Sequence, residues 1–118
     1  MMNKPIKTYK TYEIVVVPFP FTDQDRSKNR PALIISSEVF NAKNGKSILA
    51  MITSNLGKEL WPNDVGIRYL KPTGLTVASL VRFKIFTMDH ELIKARIGFL
   101  HDEDVKTFKT KLKEVLEI

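Results

Sequence analysis

The stretch Arg30-Pro31-Ala32-Leu33-Ile34-Ile35-Ser36 decides how this chain is read, because it sets a permanent cation at the mouth of an apolar run of strand length. Val, Ile and their neighbours at that length favour a pleated, half-buried segment. The proline disfavours helix at Arg30 and keeps its backbone extended. A second apolar run, Ser47 to Ile52, closes on Thr53-Ser54. Two short strands thus each deliver one polar group: a planar guanidinium fork suited to phosphate, and a hydroxyl able to donate or accept beside it. Together they point to a phosphodiester site.

Working outward, Ile14 to Val17, Val65 to Tyr69, Leu80 to Phe86 and Arg96 to Leu100 are further β-rich runs separated by polar punctuation. With Ala32 to Ser36 and Ser47 to Ile52 they predict a mainly β protein, a small β-barrel with peripheral helices. Pro18 and Pro20 donate no ladder hydrogen bonds, so the first strand must end there or run along an edge, which leaves Phe19 and Phe21 near a loop. Ser36 to Asn41 predicts one short helical turn, and Asn44-Gly45 a tight turn. From Asp102 onward, Val105, Phe108, Leu112, Val115 and Leu116 fall on one helical face behind an acidic first turn, predicting an amphipathic helix whose apolar side covers the barrel.

The 118 residues are 43% hydrophobic, enough for one core and no room for two. One domain over 1–118 is expected, with 1–11 as a flexible or extended lead-in. Lys and Arg number 19 against 13 acids, a net charge of +6 with the excess outside the C-terminal helix. That balance favours a polyanionic partner such as nucleic acid. There is no cysteine, which removes disulfides and thiolate metal sites. No apolar run approaches the roughly 20 residues that span a bilayer, so a soluble, cytoplasmic protein without a membrane role is expected.

The order Glu13-Ile14-Val15-Val16-Val17-Pro18-Phe19-Pro20-Phe21, then Arg30 to Ser36, then Ile52-Thr53-Ser54, resembles the MazF/PemK family of toxin endoribonucleases. Ser79 at the head of an apolar run, Phe86-Thr87-Met88-Asp89 at its end and Ile97-Gly98-Phe99-Leu100 extend the resemblance to residues 12 to about 116. It implies an SH3-like barrel with a C-terminal helix, a homodimer, metal-independent cleavage of single-stranded RNA, and a cognate antitoxin. It also implies that Arg30 and Thr53 are the catalytic pair. Two departures stand out. Tyr12 occupies the place of the glycine the family usually sets before the first-strand acid, and Ser79 to Asp89 is about one residue short.

The chemistry of the residues agrees. RNA carries its own nucleophile in the 2′-hydroxyl, so positioning and charge stabilisation suffice for cleavage, leaving a 2′,3′-cyclic phosphate and a 5′-hydroxyl. Arg30 would stabilise charge on the phosphoryl oxygens, while Thr53, supported by Ser54, would hold a phosphate oxygen. For RNA binding the expected contributors are Phe19 and Trp61 by stacking, with Phe21 and Tyr69 as further aromatics. Arg26, Lys28, Arg82 and Lys84, with Arg68, would contribute charge. Asp23-Gln24-Asp25 offers too few oxygens for a hard cation, so no metal or other cofactor is expected. His90 and His101 are read as turn and helix-start residues rather than an acid–base pair. The competing expectation is a non-catalytic SH3-like module binding nucleic acid or a disordered peptide, which needs charge but not this particular pair.

Overall fold

The structure is a computed structural model that describes residues 8–19, 28–57 and 61–118. Strands β1 (Glu13–Pro18), β2 (Asn29–Ile34), β3 (Lys46–Thr53), β4 (Val65–Gly66), β5 (Leu80–Asp89) and β6 (Ala95–Phe99) form one antiparallel sheet in the order β4-β5-β3-β2-β1-β6. Helix α1 (Glu38–Asn44) joins β2 to β3, and α2 (Asp102–Leu116) ends the chain. A 3₁₀ turn, Lys71–Thr73, reaches from β4 to β6 at the opposite edge, so the sheet curls into a half-barrel.

Both faces of this sheet are buried, which explains why its strands read as continuous apolar runs rather than alternating ones. Val15, Val17, Ala32, Ile34, Leu49, Phe86 and Met88 pack on one face with Tyr9 and Phe19. Ile14, Leu33, Ala50, Ile52, Val65 and Val81 pack on the other with Leu100 and with Phe108 from α2. The phenyl ring of Phe108 stacks on Phe83 with centroids 5.2 Å apart. Burying a side chain of this size contributes about 1.5–3 kcal/mol.

The curl rests on two glycines. A β-carbon at Gly74, whose φ is +77°, would stand 2.1 Å from the Ile97 carbonyl oxygen; one at Gly98 would stand 2.4 Å from the Pro72 oxygen. Backbone therefore lies on backbone from both sides, an approach open only to residues without a side chain.

The structure refines the sequence reading at four places. The run Val65 to Tyr69 is a strand only at Val65–Gly66, because the amides of Arg68 and Tyr69 donate to the Asp104 carboxylate, each at 3.0 Å, instead of to a neighbouring strand. Gly45 makes the expected tight turn as the end of α1, in the left-handed region, its amide donating to the Asn41 carbonyl. The lead-in belongs to the core from Tyr9 onward: Tyr9 is 1% exposed, and its carbonyl accepts from the buried Asn41 amide at 2.7 Å. Finally, the apolar face of α2 covers the sheet through Leu112, but Val115 and Leu116 of its last turn are exposed.

Candidate active site

β2 and β3 pair with Ala32 opposite Met51, Leu33 opposite Ala50 and Ile34 opposite Leu49. Carried two residues further in the same register, the pair sets Arg30 against Thr53. Both strands end there into connections, and both residues are half-buried. Arg30 is also held from its other side, opposite Val17 of β1, while Thr53 is held opposite Leu80 of β5.

The two line a common cleft of about 330 Å³. Val16, Pro31 and Ile52 contribute from the sheet, the segment Gly74 to Val77 and Ser79 from the far side, and Ile97 from β6. Among the described residues that line the cleft, Arg30 is the one that carries a charge. The Thr53 hydroxyl accepts from the Asn55 amide at 3.1 Å, which leaves its own proton to donate. Ser54 and Asn55, both exposed, continue the lining. A fixed fork of donors beside an oriented hydroxyl is an arrangement that binds a tetrahedral oxyanion.

The other expected contributors do not gather here. Phe19 is buried, its ring edge-on to Phe86 at 5.5 Å, so it is a core residue and not a stacking platform. Arg82 is 6% exposed and gives both Nε and Nη2 to Asp64, at 3.0 and 2.7 Å; it answers a carboxylate rather than tracking phosphates. Burial pushes the Asp64 carboxyl up, but the hydrogen bonds from Arg82 and the Trp61 amide and the Arg82 charge outweigh it and hold the group below the usual carboxylate range. Trp61 lies under this pair, 5.0 Å from the guanidinium, and lines a separate 200 Å³ hollow with Pro62, Asn63, Asp64, Phe83 and Val115. Lys28 is exposed just ahead of β2, and Lys84 is half-buried in a bulge of β5. Tyr69 stacks on His101 at 4.0 Å, and Arg68 pairs with Asp104 at 3.5 Å. Arg26 and Phe21, with Asp23 and Asp25, lie outside the described residues.

Both histidines have structural partners. His90 Nε2 lies 2.8 Å from the Ser47 hydroxyl, and its ring packs edge-on to Tyr9. His101 caps α2, Nδ1 accepting from the Glu103 amide at 3.0 Å. Among the described residues no three His, Asp or Glu side chains gather as a metal site. What the sequence reading missed is the far wall, Gly74 to Val77; its signal was Pro72-Thr73-Gly74, a turn followed by a half-apolar run with no other assigned partner.

The fold has well-matched relatives. An endoribonuclease of a mycobacterial species, solved in complex with its cognate antitoxin, superposes with a TM-score of 0.73 at 14% identity over 94% of this chain and 95% of that one. MazF of Deinococcus radiodurans gives 0.72 at 19% identity, covering 95% and 99%. The Mycobacterium tuberculosis toxin MazF-mt6 gives 0.70 at 18%, covering 90% and 97%. No curated protein sequence matches significantly. The family model for the PemK-like, MazF-like toxin of type II toxin–antitoxin systems matches residues 10–116, a span that includes every strand and the whole of α2. The chain belongs to this family of toxins.

Proposed function

We propose that the protein is a sequence-selective endoribonuclease that cuts single-stranded RNA without a metal, at the cleft lined by Arg30 and Thr53. The single observation that carries this reading is the register: two strand ends, far apart in sequence, bring a permanent cation and an oriented hydroxyl to one cleft. The substrate's 2′-hydroxyl attacks the adjacent phosphorus in line and releases its proton to solvent, the P–O5′ bond breaks, and O5′ takes up a proton from solvent, giving a 2′,3′-cyclic phosphate and a 5′-hydroxyl. Arg30 meets the charge that builds on the equatorial oxygens, and the Thr53 hydroxyl, whose proton the Asn55 contact leaves unused, donates a hydrogen bond to one of them. Membership of the toxin family and the antitoxin complexes of its structural relatives support a cytoplasmic homodimer restrained by a cognate antitoxin.

Purified protein incubated with single-stranded RNA in excess chelator tests this directly. Cleavage with cyclic-phosphate ends is expected, falling by on the order of 10²–10³ in kcat for Arg30→Ala and clearly for Thr53→Ala. RNA that is bound but left intact, or cleavage indifferent to both substitutions, would overturn the assignment and leave a nucleic-acid-binding module.

A further inference from the structure

The connection from β3 to β4 leaves the sheet at Thr53 and re-enters it at Val65. Its return leg is tied down more firmly than an ordinary loop. The Asp64 carboxylate accepts both the Arg82 fork and the Trp61 amide, the latter at 3.0 Å, while the Asp64 amide donates to the Trp61 carbonyl at 3.0 Å. The Trp61 ring lies against the same guanidinium. The Arg82 and Asp64 side chains are only 7% and 10% exposed.

Arg82 stands on β5 opposite Met51, two residues from the pair Leu80–Thr53. Directly beyond it the register with β3 shifts, leaving Phe83 and Lys84 as extra residues on β5. Bulges of this kind re-aim side chains, and they concentrate beside functional sites. The path from Thr53 along the connection to Asp64, across to Arg82 and back through Leu80 to Thr53 is therefore a closed circuit of covalent and non-covalent links. A buried ion pair of this sort contributes little net stability compared with apolar residues of the same volume, so its value lies in the geometry it enforces.

Building on the ribonuclease assignment, we infer that the Asp64–Arg82 pair, with Trp61, is a positioning device that ties the return leg Trp61 to Asp64 to β5 two residues from the Leu80–Thr53 pair and so sets which RNA sequences are cut. None of the three touches the reacting phosphate. They act through the placement of Ser54 and Asn55, which line the cleft at the head of the same connection.

The chain has one tryptophan, so its emission reports on the device without a label. Replacing one partner leaves a buried charge and threatens the fold; the informative variant is the apolar double substitution Arg82→Met/Asp64→Leu, checked by circular dichroism and thermal melting. It is expected to fold, to shift Trp61 emission, and to lower the preference of wild-type cleavage sites over mismatched ones between about ten- and a hundredfold, a scale set by small misplacements of a reacting group. Asp64→Glu, which keeps the charge pair, is expected to recover most of the preference. A folded double variant with displaced Trp61 emission and an unchanged site profile would overturn the inference while leaving the ribonuclease assignment standing. Failure of the wild-type protein to cleave any RNA would remove both. A double variant that does not fold passes the decision to Asp64→Glu against Asp64→Asn: equal site profiles would likewise overturn it.

Discussion

At the scale of single residues, Tyr12 shows what a side chain costs at a left-handed position. Its φ is +72°, in the left-handed region that a glycine would occupy without strain, yet its ring packs edge-on to Phe108 with centroids 6.1 Å apart. The aromatic contact is kept against a backbone penalty of about 1–2 kcal/mol. Both Tyr12→Ala and Tyr12→Gly lose the ring, but only alanine keeps the strain, so chemical denaturation should find the glycine variant more stable than the alanine variant by about 1 kcal/mol. His90 makes a second prediction. Burial pulls its imidazole below the ordinary 6.5, against smaller opposing effects of the Lys46 backbone and the Asp89 charge. Below pH 6.5 the unfolded chain takes up a proton that the folded chain resists, so stability falls as pH drops through this range. Melting temperatures compared between about pH 7.5 and 5.5 should decline in wild type and less steeply in His90→Gln.

Among elements, α2 is held by one polar residue as well as by its apolar stripe. The Asp104 carboxylate is fully buried and accepts the amides of Arg68 and Tyr69, joining the first turn of the helix to the chain beyond β4. Asp104→Ala would leave both amides without that partner and should cost about 2–4 kcal/mol in denaturant unfolding. The same bonds show why the sequence was legible in part. Apolar runs announced the buried strands β1, β2, β3 and β5, since burial on both faces leaves a continuous apolar signature, whereas β4 is only Val65–Gly66 and β6 is exposed or half-buried throughout. Tyr69, as β-prone as any residue, is not in a strand because a carboxylate 35 positions away takes its amide. No local pattern encodes such a partner. Arg30 and Thr53 were legible because strand ends and an Arg-Pro pair are local signals. Arg82 was misjudged for the opposite reason: a basic residue looks alike in sequence whether it faces solvent or a buried Asp64 18 positions away.

For the molecule as a whole, the charge of +6 is the property that bears on the proposed RNA substrate. Several of the 19 cations are taken up as partners of acids, among them Arg82 with Asp64, Arg96 with Glu13 and Lys46 with Asp89, pairs that leave the net charge unchanged. The free contribution is thereby narrowed toward residues such as exposed Lys28 and the cleft's Arg30. If about three phosphates are neutralised, affinity for single-stranded RNA should fall roughly tenfold or more between ~50 and ~200 mM salt, and Arg30→Ala should flatten the slope by about 0.7; fluorescence anisotropy across a salt series measures both. The half-barrel also fixes the scale of the cleft that would receive the strand. Gly74 and Ile97 both line that cleft, and their backbones touch there. A natural side chain at Gly74 would therefore have to displace the β6 backbone and would reshape the cleft from its floor.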